Sequence, residues 1–132
     1  MSSFICEKCG YISNSALRGT FWHASENIYA KEKGEQPHIM YKPQFSFYED
    51  HRCCDRCAEG VEYSDGSGVL HPTYMIPEKD LKHFSEIGKD RLLELEAAKN
   101  GNVVNASYFF EKGYDKTVTP KGEAEWQKKP TN

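Results

Sequence analysis

The sequence predicts an α+β fold, and three observations lead there. Two Cys-x-x-Cys turns, at Cys6 and Cys9 and at Cys54 and Cys57, each adjoin β-branched or aromatic residues suited to short strands. From Pro77 to about Lys99 the apolar residues change period, and Leu81, Phe84, Ile87, Leu92 and Leu95 fall near one face of a helix. A length of 132 residues leaves room for one compact domain, expected over residues 1–114, with a polar C-terminal tail at 115–132.

Taken in order, Phe4 and Ile5 read as a strand, Cys6 to Gly10 as a tight knuckle, and Tyr11 to Ser13 as a returning strand. Gly10 suits the end of that turn because glycine tolerates positive φ. An aromatic-rich insert then fills positions 14–52, with Phe21, Trp22, Tyr29, Tyr41, Phe45, Phe47 and Tyr48. A stretch of that length is expected to hold strands or a helix of its own. Within it, Gln44 to Tyr48 partly alternates as a strand does. After the second knuckle, Ala58-Glu59-Gly60 closes the turn, and Val61 to Tyr63 is expected to form a hairpin with Val69 to His71. Pro72 and Pro77 bracket a turn before the C-terminal helix. Gly88 divides that helix in two and Asn100-Gly101 stops it. For Val103 to Tyr114 the short apolar run leaves strand and helix both open.

Composition narrows the function classes. With 38% hydrophobic and 28% charged residues, apolar burial is modest, so a cross-link or metal would help define the fold. Aromatic residues at 13% of the chain argue for a folded protein. The formal charge of −3 lacks the strong basic footprint of most nucleic-acid binders. No apolar run is long enough for a transmembrane helix, and residues 1–6 lack the layout of a signal peptide. The expected location is cytoplasmic and reducing, with no membrane partner, where five cysteines suit a metal site better than disulfides. Asn105-Ala106-Ser107 matches the glycosylation pattern by composition alone.

A Cys-x-x-Cys turn presents two thiolates at the separation a tetrahedral metal needs, and two such turns complete a shell. Cys6, Cys9, Cys54 and Cys57 are therefore the expected ligands of one structural Zn2+. Cys53 adjoins Cys54, and His51 stands close by; the two-residue spacing to Cys57 selects Cys54, with Cys53 or His51 as the substitutes to test. No spacing ties His23, His38, His71 or His83 to the cysteines, and these are read as surface or hydrogen-bonded core residues. A closed shell of four thiolates leaves no open position for substrate, so no catalytic residue is assigned.

Phe4-Ile5-Cys6-Glu7-Lys8-Cys9-Gly10-Tyr11 resembles the first knuckle of a zinc ribbon, and Cys54-Asp55-Arg56-Cys57 resembles the second. The resemblance implies a small zinc-ribbon-like β core and a protein or nucleic-acid docking module, as zinc ribbons serve in transcription, replication and RNA handling. The expected role is a non-enzymatic interaction module that docks onto another protein, regulatory or inhibitory in the manner of small phage-encoded proteins. Trp22 is the expected anchor, with Tyr29 and Tyr41 in support, because aromatic residues concentrate where partners dock. The alternative is single-stranded nucleic-acid binding, with Lys8, Arg18, Lys31, Lys33, Lys42, Arg52 and Arg56 around Phe21, Trp22 and Tyr29 as stacking residues. A second alternative is a metal-dependent nuclease of the His-Asn-His kind, whose acidic-histidine pair Asp50-His51 resembles, with His38 between the knuckles. Ala58 and Gly60 depart from that family's pattern, which calls for a histidine and a helix there.

Overall fold

The computed structural model describes residues 3–14, 20–72, 76–98 and 103–113. The architecture is α+β, a three-stranded mixed sheet in the order β2-β1-β3 together with several helices. Two compact units are formed, one from Met1–Ala16 with Met75–Asn132 and the other from Leu17–Tyr74.

In the first unit, β1 (Ser3–Ile5) and β2 (Ile12–Asn14) pair antiparallel across the first knuckle, with Phe4 opposite Ser13 and Ile5 opposite Ile12. The Gly10 N–H donates to the Cys6 carbonyl at 2.8 Å and the Cys6 N–H to the Tyr11 carbonyl at 2.9 Å, with Gly10 at φ 79°. Glycine at that position closes the turn without steric cost.

The other edge of β1 pairs parallel with β3 (Val103–Val104), and this ladder lasts two residues. Asn105 then turns into the left-handed region at φ 63°, and its side chain continues the pairing. Its Oδ1 accepts the Ile5 N–H at 3.0 Å, and its Nδ2 donates to the Ile5 carbonyl at 3.1 Å. One side-chain amide thus takes the place of the next peptide group. The glycosylation pattern read at Asn105 falls on this amide, already engaged with the backbone. Helix α3 (Ala106–Glu111) starts directly afterwards, so the run left open by periodicity divides into a short strand and a short helix.

Pro77 to Lys99 is not one broken helix, as expected from the sequence. Two 3-10 turns, Glu78–Asp80 and Phe84–Glu86, precede the one α-helix of the stretch, α2 (Lys89–Ala98). The break falls at Gly88, whose φ is 97°. His83 is extended, caps the second turn together with Glu86, and bridges to Tyr11. Its neighbours are tied by main-chain bonds from Ile12 N–H to the Lys82 carbonyl at 2.8 Å and from Phe84 N–H to the Gly10 carbonyl at 2.9 Å. These pairings outweigh helical periodicity because they satisfy backbone groups beside the knuckle. Ile5, Phe84, Leu92, Val103, Ala106 and Phe109 form the core, with Phe84 and Phe109 edge to face at 5.1 Å. The expected stop at Asn100-Gly101 and the tail at 115–132 lie outside the described residues.

In the second unit, α1 (Phe21–Glu32) buries Phe21, Ala24, Asn27, Ile28 and Ala30. It ends on Gly34 at φ 78°, with Gly34 N–H to the Lys31 carbonyl at 3.0 Å and Glu35 N–H to the Ala30 carbonyl at 2.8 Å. Those two bonds are the Schellman closure that a glycine permits. Asn27 ties the following loop to the helix. Its Nδ2 donates to the carbonyls of Ile39 and Glu49 at 2.7 and 2.8 Å, and its Oδ1 accepts the N–H groups of His38 and Ile39 at 2.9 and 3.0 Å. All four bonding positions of a buried amide are then filled. The Gln44 to Tyr48 segment is not the strand its alternation suggested. Pro43 starts a 3-10 helix, Pro43–Glu49, which buries Tyr48 and leaves Phe47 outside. The expected hairpin is present as a bridge from Glu62 to Val69, with Leu70 N–H on the Val61 carbonyl at 2.9 Å. Among the described residues, no helix is long and apolar enough to cross a membrane.

Substitution at Asn105 should separate the two things this residue does. Asn105→Ala is expected to cost about 2–4 kcal/mol, because it orphans both backbone groups of buried Ile5 and removes the short polar side chain that lets asparagine tolerate the left-handed region. Asn105→Gly should recover roughly 1 kcal/mol of that, since only the conformational part is relieved. Denaturant unfolding of the two variants against the parent measures both, and equal losses would remove the strain from the account.

Candidate metal centre

Each Cys-x-x-Cys turn is closed by its own backbone. In the first knuckle the N–H groups of Lys8 and Cys9 both approach Cys6 Sγ at 3.4 Å, the contacts that stabilise a thiolate. In the second, the Ala58 N–H donates to the Cys54 carbonyl at 3.0 Å, and Gly60 at φ 83° ends the turn. The Tyr48 hydroxyl donates to the Cys57 carbonyl at 2.9 Å, which fixes the knuckle to the 3-10 helix before it.

The sulfur atoms of Cys6, Cys9, Cys54 and Cys57 all lie within 4.8 Å of one another. All five cysteines are buried. A tetrahedral thiolate shell with metal–sulfur bonds of about 2.3 Å separates its sulfurs by about 3.8 Å. The four cysteines supply that donor set, and they are positioned to hold one metal ion. Among the described residues, no other group of three or more His, Cys, Asp or Glu side chains could do so.

The neighbours weighed against Cys54 are engaged differently. The Cys53 N–H donates to Thr20 Oγ1 at 3.1 Å, and that hydroxyl donates to the Cys53 carbonyl at 3.3 Å, so Cys53 anchors the start of α1. The His51 ring stacks on Phe47 with centroids 4.0 Å apart, and its Nδ1 lies 2.7 Å from Asp50 Oδ1 and 2.8 Å from the Phe47 carbonyl. His38 stands exposed, 3.4 Å from Glu35 and 3.9 Å from Glu26. The two histidines of the nuclease reading thus have separate carboxylate partners.

Of the aromatic residues expected at a docking surface, Trp22 and Tyr29 are 55% and 60% exposed on α1. Tyr41 is 2% exposed and is not presented to a partner. Its ring packs 5.7 Å from His23 and 5.6 Å from Tyr63, and its hydroxyl is hydrogen-bonded to His23 Nδ1. Burial, reinforced by Tyr63, Cys53 and Glu49, pushes the Tyr41 hydroxyl well above its ordinary ionisation range, while burial lowers the basicity of His23. Both shifts favour the neutral forms of the two groups.

His83 is one of the hydrogen-bonded core histidines, as its lack of spacing to the cysteines suggested, and its place beside the first knuckle had no sign in the sequence. Its capped turn alone had a local sign, the His-x-x-Glu spacing. It is 3% exposed, and burial lowers its basicity against the opposing influence of the Cys9 carbonyl, Glu86 and Cys6.

Comparison with protein-family models, with curated proteins and with solved structures gives no match.

One thiophilic metal ion per chain is expected in native mass spectrometry. Cys6→Ser, Cys9→Ser, Cys54→Ser and Cys57→Ser should each lose it, and Cys53→Ser should keep it. Retention in Cys54→Ser with loss in Cys53→Ser would move the ligand role to Cys53.

Proposed function

We propose that the chain is a non-enzymatic, zinc-stabilised interaction module that docks onto another protein through the exposed aromatic face of α1, in a regulatory or inhibitory role. The observation that carries this reading is the pairing of Trp22 and Tyr29. They stand seven residues apart, two turns of helix, and so share one side of α1. Isolated exposed aromatics are ordinary on a surface, but two aligned on one helix offer large contact area with few rotors to immobilise. Glu26 lies between them in sequence and is exposed, and Lys33 sits 4.7 Å over the Tyr29 ring. Aromatic anchors framed by charge fit the anatomy of a protein interface.

Zinc is the proposed ion because four thiolates in a tetrahedron suit it, and a shell with every position filled serves structure rather than catalysis. Iron is the other metal with that preference, and elemental analysis distinguishes the two. Single-stranded nucleic acid is the alternative partner, since Trp22 and Tyr29 could stack on bases. The net charge of −3 weighs against it.

The test is affinity capture by zinc-loaded protein from its native cell, with and without nuclease treatment of the lysate. Trp22→Ala and Tyr29→Ala are each expected to lower recovery of the partner about tenfold or more at unchanged zinc content, as for an interface hot spot. Release of the bound material by nuclease would favour the nucleic-acid alternative. Recovery indifferent to both substitutions would remove α1 as the docking face. In a Trp126→Phe background, acrylamide should quench Trp22 freely in the isolated protein and poorly in the complex.

A further inference from the structure

We infer that His83 is a positioning residue of the metal centre, its Nε2–H serving as a buried hydrogen-bond donor to the Cys9 carbonyl when the knuckle holds a metal ion. This rests on the reading of the four cysteines as a metal centre. It starts from the way residues 82–84 lie along the knuckle. His83 bridges to Tyr11, the flanking main-chain bonds run to Gly10 and from Ile12, and the Tyr11 ring meets the His83 ring edge-on at 5.3 Å. The imidazole is therefore fixed beside the backbone that follows Cys9.

The bonds to Nδ1 decide which nitrogen carries the proton. The Ser85 N–H donates to Nδ1 at 3.2 Å, and the Ser85 hydroxyl lies 2.8 Å from the same atom. A nitrogen that accepts an amide proton presents its lone pair, so the proton of the neutral ring resides on Nε2. Nε2 is buried, and no group among the described residues stands at ordinary hydrogen-bond distance from it. A buried donor left unmade is costly, which favours any rearrangement that supplies an acceptor. The Cys9 carbonyl and Cys6 are the knuckle groups near enough to influence the ring.

Metal binding supplies the reason for such a donor. Four thiolates around a divalent cation leave a buried net charge of about −2, which hydrogen-bond donors and oriented dipoles must offset. Two backbone N–H groups already face Cys6 Sγ. A bond from Nε2–H to the Cys9 carbonyl fixes the Cys9 side of the turn for the thiolates.

Cobalt(II) titration of the full chain tests this, read by the sulfur-to-cobalt charge-transfer band. His83→Phe keeps an aromatic ring but lacks the donor; it is expected to weaken cobalt binding about 10- to 100-fold and to shift the band to lower energy. His83→Gln retains an N–H group and should restore most of both. Equal behaviour of parent and His83→Phe, or equal losses in His83→Phe and His83→Gln, would overturn the assignment. Should His83→Phe fail to fold, long-range proton–nitrogen NMR of the zinc-loaded parent decides by itself. The proton is expected on Nε2, slow to exchange and shifted downfield on loading; a proton on Nδ1, or one unmoved by zinc, refutes the role. A parent chain that takes up neither cobalt nor zinc fails at the earlier step, the metal reading, and this inference falls with it.

Discussion

Four sulfur atoms held within 4.8 Å of one another are the constraint on which the candidate site depends. As thiols they are small buried hydrophobes; as thiolates at that spacing they repel strongly in a low dielectric. A cation is what makes the ionised arrangement tolerable, and its binding free energy then becomes part of the folding free energy. Each knuckle reduces what the cation must do. Backbone N–H groups face Cys6, and a tyrosine hydroxyl holds the Cys57 carbonyl. The positive-φ glycines Gly10 and Gly60 end the turns.

Two asparagines do a related job for irregular backbone. Regular ladders are brief among the described residues, where the longest strands have three residues. Backbone groups that no ladder reaches still need partners when buried. Asn105 completes the pairing of Ile5 where β3 has run out, and Asn27 satisfies four main-chain groups of the insert at once. Both amides are short enough to be fixed by their own backbones, so the bonds come with little rotamer entropy to lose. A chain of modest apolar content gains specificity this way as well as stability.

The sequence was most legible where one residue type has one physical use. Cysteine spacing picked out the four cysteines that lie together, and glycine after Cys9 picked out a positive-φ turn; Gly88 was expected to divide a helix and instead stands just before the start of α2. It was least legible where several weak preferences compete. Phe45 and Phe47 alternate like strand residues, yet Pro43 fixes a φ suited to a helical first turn and the segment coils. Phe84 and Ile87 fit a helical face, yet residues 82–84 pair with the knuckle instead, a contact between segments some seventy positions apart that no local window contains. Tyr41 was expected to support Trp22 at a docking surface because it is aromatic; its hydrogen bond with His23 lets the phenol be buried. His83 had no signature because its importance comes from where residues 10–12 lie beside it.

The Asn27 cradle has an evolutionary side. Its four bonds reach only main-chain atoms, and the side chains from Lys33 to His38 all face solvent. Beyond the glycine that turns the helix end, the residues there are chosen by almost nothing the fold demands. Such a loop can drift, accept a short epitope, or carry a fluorophore while its ends stay anchored. If the protein and a binding partner are in an adaptive contest, this is where its surface can change fastest at least cost to its architecture.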